Sequence, residues 1–239
     1  ATDWSWSPLI HDFDQDGWKD IFITNGYRRD LTDADYLSYY DELVSKGKRP
    51  LDYRDTLISL VPSVPIPNYL YQNQGDLTFS NKAREWGLAQ LSFSNGAAHA
   101  DLDNDGDDDL IVNNFDMQVS IYENRTQDFN SPNTLQIRLK GPKGNPDGIG
   151  GKIKITYQDQ IQVQFVQRIK GFMSYSSPLT SFGLGDVNKV DKVEVFWPDG
   201  QYSTLGSLDA SEPIMIDYKY ASKGPKKIGG AKHSLFGPE

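Results

Sequence analysis

The stretch HDFDQDGWKDIFITN, His11 to Asn25, returns 89 residues later as ADLDNDGDDDLIVNN, Ala100 to Asn114. Each copy carries D-x-D-x-D-G-x-x-D and then an apolar run, Ile21 to Ile23 or Leu110 to Val112, which reads as a buried strand. A second echo pairs YLYQN (Tyr69 to Asn73) with SIYEN (Ser120 to Asn124) at an offset of 51, so the difference of 38 locates an insertion between Asn25 and Tyr69. Without it, the repeat is about 50 residues of short β-branched or aromatic runs set off by Gly, Asn and Asp turns, the cadence of a propeller blade.

The loops carry the chemistry. Asp12, Asp14, Asp16 and Asp20 in the first, and Asp101, Asp103, Asp105 and Asp109 in the second, place four carboxylates on nine residues. Such crowding is repulsive unless a cation sits among them. Hard oxygen donors in that number favour Ca²⁺ over Mg²⁺, so two calcium sites are expected. Gly17 and Gly106, in sixth position, supply the positive φ that curls the chain, and the seventh residues, Trp18 and Asp107, offer their carbonyls. An EF-hand would need Glu at the twelfth position and flanking helices, but Ile23 and Val112 stand there, inside expected strands. The loops are therefore strand-loop-strand, with an expected affinity of about 10⁻⁴ to 10⁻³ M.

Within the insertion, residues 28–67, Tyr36, Tyr39, Tyr40, Leu43 and Val44 fall at helical spacing, with Thr32 or Asp33 as N-cap and Gly47 as stop. Leu51 to Val61 allows another turn or two before Pro62, Pro65 and Pro67 forbid continuation. From Leu135 onward LQIRLK, KIKITY, IQVQFVQRI and KVEVFW alternate as strands of a second β-module. The expected division is residues 1–130, residues 131–220, and a Lys-, Gly- and Pro-containing linker or tail over 221–239.

With 33 Asp+Glu against 24 Lys+Arg the chain carries −9, and the imbalance is local: residues 1–130 hold 23 acids and 10 bases. That surface opposes nucleic-acid binding. Zero cysteines remove disulfides, thiolate zinc sites and cysteine nucleophiles together. No run approaches the roughly 18 apolar residues of a membrane span. Gly148-Ile149-Gly150-Gly151 lacks a phosphate cradle and reads as a turn. His11 and His99, each just before an aspartate loop, read as strand residues beside a calcium turn, and the five tryptophans read as packing.

With NYLYQNQGDLTF (Asn68 to Phe79) and WGLA (Trp86 to Ala89), the aspartate loops resemble the FG-GAP/VCBS repeat family, whose blades build β-propellers with calcium in such loops. That resemblance assigns metal roles to the eight loop aspartates named above. The second module resembles the ASPIC/UnbV domain of the cartilage-acidic-protein family. Its marks are Leu139-Lys140-Gly141, Asn145, Gly148-Ile149-Gly150, Gly171, Ser174, Phe182-Gly183-Leu184-Gly185, Val190-Asp191 and Trp197-Pro198-Asp199-Gly200. Pro146 and Gly151 depart from the usual pattern.

The expected fold is all-β: a partial β-propeller with a helical insertion, then a β-sandwich-like domain. Two blades cannot close a propeller, so further blades of the same or another chain are the expected partners, with this chain a segment of a longer protein. The resemblances imply a non-enzymatic, calcium-binding recognition or scaffolding module at the cell surface or outside the cell, with a protein or glycan ligand. The rival is a polysaccharide-active enzyme, or an accessory subunit of an outer-membrane nutrient-uptake complex.

Overall fold

The computed structural model describes residues 4–210 and 213–224. Strands make up 42 % and helices 14 %, several sheets form and none closes on itself, so the all-β expectation holds at the level of class. The chain divides into two compact units. Unit 1 takes the chain as far as Thr134 together with Arg168–Ser177 and Phe182–Asp186, and unit 2 takes Leu135–Gln167, Pro178–Ser181 and the chain from Val187. The boundary is thus not the single cut near residue 130 that composition indicates, because two later segments fold into unit 1.

Unit 1 contains the repeat as structure. Ser5–His11, Asp20–Asn25, Tyr69–Asn73 and Phe79–Asn81 form a four-stranded antiparallel sheet in chain order, and Ser94–Ala100, Asp109–Asn114 and Ser120–Tyr122 form a three-stranded one. Leu9 faces Phe22 and His11 faces Asp20; 89 residues on, Ala98 faces Ile111 and Ala100 faces Asp109. Both pairings carry an irregularity at the same place, before Pro8 and before Ala97. The third strands follow the other offset, Leu70 opposite Phe22 and Ile121 opposite Ile111. A shared core of Leu9, Phe13, Phe22, Leu70, Leu88, Leu110 and Val112 is buried, with Trp86 and Tyr122 packed on it.

The insertion is helical as its spacing predicts. Ala34–Ser45 is an α-helix whose N-cap is Asp33, the side chain accepting from the Asp35 and Tyr36 amides, and it stops before Gly47 at φ 65°. A short 3-10 turn, Pro50–Tyr53, leads into a second helix, Arg54–Leu60, which ends ahead of Pro62.

Unit 2 is built on a five-stranded antiparallel sheet in the order Gln160–Phe165, Lys152–Tyr157, Lys192–Phe196, Gln201–Leu205, Ser222–Lys223. Ile153, Ile155, Val193 and Val195 are fully buried. Ile137–Lys140 runs parallel to Ile214–Asp217. Trp197 is buried and donates from its indole nitrogen to Ser203 at 2.9 Å, in agreement with a packing role, and its turn closes at Gly200, φ 87°. Ser222 and Lys223 pair with Tyr202 and Gln201, so the sheet runs into the stretch expected to be a linker; residues 225–239 lie outside the described residues.

Candidate metal centre

The two aspartate loops adopt one backbone conformation. The fourth residues, Gln15 and Asn104, are left-handed at φ 58° and 65°, and the sixth, Gly17 and Gly106, lie at 97° and 102°. The glycines are as the sequence predicts. The left-handed fourth position was not anticipated, and Gln15 in particular is a residue that visits this region seldom.

Carboxylates hold that conformation by accepting backbone amides. Asp12 accepts from Asp16 at 3.1 Å and Gly17 at 3.0 Å, and its counterpart Asp101 from Asn104 at 2.7 Å and Gly106 at 3.2 Å. Asp16 accepts from the Trp18 amide and Asp105 from the Asp107 amide, which anchors each seventh residue. The ninth residues clamp loop to sheet. Asp20 accepts from the Phe13 and Asn73 amides at 3.0 Å each, and Asp109 from Leu102 at 2.9 Å and Asn124 at 2.8 Å. Asn73 and Asn124 complete the copy by donating to the carbonyls of Lys19 and Asp108.

The side chains converge. Donor oxygens of Asp12, Asp14 and Asp20 lie within 4.8 Å of one another, as do those of Asp101, Asp103 and Asp105. In the first loop Asp14 spends one oxygen on the Gln72 side-chain amide at 2.6 Å, while its Oδ1 is buried without a hydrogen-bond partner among the described residues. Burial, then the neighbouring Asp16 and Asp14, push the Asp12 carboxyl up to about 7 against an opposing pull from Lys19, and burial pushes Asp20 up to about 8. An orphaned buried oxygen among crowded carboxylates is what a hard cation satisfies, so the donor set fits calcium. In the second loop the triad is more open, and Asp109 acts as the clamp outside it.

Asp107 departs from its expected role. Beyond the carbonyl assigned to it, its side chain is fully buried; one oxygen accepts from the Gln127 amide at 3.1 Å and the other has no hydrogen-bond partner among the described residues. Burial first, then Asp105, Asp109 and Asp103, raise its carboxyl to about 7. The loops are also tied to one another: Gln15 donates to the Gly106 carbonyl at 2.8 Å, and Asn124 to the Phe13 carbonyl at 2.8 Å.

A neighbouring cluster was missed by reading the histidines as plain strand residues. Asp108 Oδ2 lies 3.1 Å from His11 Nε2 and 2.7 Å from His99 Nδ1, the two imidazoles stack at 4.0 Å, and Lys170 Nζ lies 3.0 Å from His99 Nε2. All three of His11, His99 and Asp108 are buried. Burial and the neighbouring His99 lower His11 to about 3. Burial opposes ionisation of Asp108, but the hydrogen bonds from both histidines outweigh it and hold its carboxyl well below the usual range. The signal available in sequence was the eighth loop position, Lys19 in one copy and Asp108 in the other.

Lys170 belongs to a hairpin, Ile169–Gly171 with Ser174–Tyr175, that packs within unit 1. A Cβ on Gly171 would fall 2.2 Å from Ser7 Oγ, and Ser174 Oγ contacts Ser7 Oγ at 3.0 Å and accepts from the Ala97 amide at 3.0 Å. Gly171 and Ser174, two of the marks that carried the family resemblance, are therefore contact residues against the repeated strands.

A comparison with curated proteins gives no match. Among family models, the one described as ASPIC and UnbV matches residues 141–223, roughly a third of the chain, so this stretch carries an ASPIC/UnbV domain.

Proposed function

We propose that the two repeated sheets of unit 1 are neighbouring blades of a larger calcium-stabilised β-propeller, and that the chain serves as a non-enzymatic recognition or scaffolding module outside the cell or at its surface. The observation that carries the calcium reading is the twofold loop itself, with converging carboxylates and the orphaned Asp14 oxygen. A bound calcium ion supplies the positive charge that lets these carboxylates ionise together. The chain's own part is to preset the loop through the Asp12, Asp101, Asp20 and Asp109 bonds to backbone amides.

Burial supports further blades. Phe13 in the first loop and Leu70 in the first sheet are buried at 6 % and 1 % exposure, whereas the residues aligned with them in the second copy, Leu102 in its loop and Ile121 in its sheet, are exposed at 53 % and 62 %. The same face that is covered in one copy is bare in the other, which is the pattern of a sheet made to receive a neighbour. The test is thermal melting: chelator lowers the melting temperature and millimolar calcium restores it, since a ligand of the folded state stabilises by mass action. An identical melt in chelator and calcium would contradict the calcium part of the reading.

A further inference from the structure

A cleft of about 910 Å³ opens in unit 1, large for a small-ligand site. Beside apolar Leu31, Ile111, Phe115 and Met173, its walls carry three groups of unlike chemistry. The first is aromatic: Tyr27, Trp4 and Trp6 form a triangle of near-parallel rings, 4.8 Å (Tyr27 to Trp4), 6.2 Å (Tyr27 to Trp6) and 6.4 Å (Trp4 to Trp6) apart with planes within 26°, and Trp6 meets Phe172 at 5.1 Å. The packing role expected of Trp4 and Trp6 is thus incomplete, since Trp4 is 43 % exposed and Trp6 lines the cleft.

The second group is amide. Asn95 and Asn113 both line the cleft, and neither side chain makes a hydrogen bond among the described residues. The third is cationic. Arg28 is paired with Asp116 at 2.5 Å, whereas among the described residues the Arg29 side chain donates to a neutral group, the Ile58 carbonyl, at 2.7 Å and forms no ion pair. Among the described residues no Asp or Glu lines the cleft, in a chain with 33 of them, and with Arg28 neutralised by Asp116 the charge left on its wall is that of Arg29.

We propose that this cleft binds an acidic saccharide, a uronate-containing glycan. Ring faces at Tyr27, Trp6 and Phe172 take the flat faces of pyranose rings, the asparagine amides meet hydroxyls, and Arg29 meets the carboxylate. A purely apolar ligand would leave the amides and guanidinium unmatched. A polyanion without flat faces would leave the rings unmatched. Arg29 and Tyr27 sit at the start of the helical insertion, and the Arg29 bond to Ile58 ties that wall to the second insertion helix, which gives the insertion a binding role. This inference deepens the recognition reading above and rests on it, but it does not use the loop carboxylates.

Short oligogalacturonate, a neutral dextran oligomer and poly-glutamate should be titrated against the whole chain by calorimetry, with calcium and again with chelator, alongside a melt. The expected result is heat with oligogalacturonate alone, in both buffers, because the cleft and not a bridging ion holds it. Arg29→Gln should weaken it about tenfold, the loss of one charge-assisted contact, and Arg29→Lys by less. Tyr27→Ala should weaken it comparably, with Tyr27→Phe close to the parent. Equal binding of dextran or poly-glutamate, no binding by a folded chain, loss of binding in chelator with the fold intact, or indifference to Arg29→Gln would each overturn the assignment. A chelator-insensitive melt with retained oligogalacturonate binding would instead sink the calcium reading and leave this one standing.

Discussion

The two aspartate loops share their left-handed positions and most of their hydrogen bonds, although Asp12 accepts from the fifth loop amide and Asp101 from the fourth, and they sit in different surroundings. In the first loop Asp12 and Asp20 are buried and Gln72 holds Asp14; in the second, Asp103 and Asp105 are exposed. The eighth residue differs in sign: Lys19 places a buried ammonium without a hydrogen-bond partner near Asp12, whereas Asp108 turns to the two histidines. The comparison separates two jobs that one motif performs. Amide-accepting carboxylates shape the turn wherever it is placed, while burial decides how much a cation is needed and what competes with it.

The largest contrast is expected from the first aspartate of each loop. Asp12→Ala removes a buried acceptor, empties its place and frees two part-buried amides, and should cost roughly 2 to 3 kcal/mol, against about 1 kcal/mol for Asp101→Ala, which is only half-buried. Denaturant unfolding reads both; equal costs would break the contrast. The clamps come next, with Asp20→Ala and Asp109→Ala each expected to cost about 2 kcal/mol and to differ little, because both are buried and make the same two bonds.

Proton linkage comes next and acts in both loops, since Asp107 of the second is raised to about 7 as well. Asp12 and Asp20 have folded values of about 7 and 8, above the unfolded carboxylate value of 3.8, so between those limits the folded state binds more protons. The contribution of these two carboxyls to stability without metal therefore falls as pH rises from about 4 to 8, against an opposite contribution below about pH 6.5 from His11, whose folded value is lowered to about 3. Saturating calcium should flatten that slope by favouring the ionised carboxylates. Asp12→Asn should make the metal-free slope less negative, and a slope unchanged by that substitution would refute the assignment. The smallest effect is electrostatic: Lys19→Met should tighten calcium at the first loop a few-fold by removing a nearby positive charge, and leave the second unchanged.

Much of this was legible in the sequence, for a physical reason. The turn is local, so its Asp and Gly spacing encodes the positive φ at Gly17 and Gly106, and the two offsets, 89 and 51, reappear as strand register. The Asp33 cap and the Gly47 stop were equally local. What stayed hidden depends on distant residues meeting: Lys170 reaching His99 across 71 positions, Gly171 against Ser7, and Trp6, Tyr27 and Phe172 around one cleft. The fate of Asp107 was also hidden, because its burial depends on the Gln127 amide 20 positions away.

Calcium titration calorimetry on the folded chain, with Asp14→Ala and Asp103→Ala beside it, tests the central claim most directly. The account predicts two ions per chain, falling to one in either variant. Absence of calcium binding by a chain that melts cooperatively, or two ions retained in both variants, would contradict it.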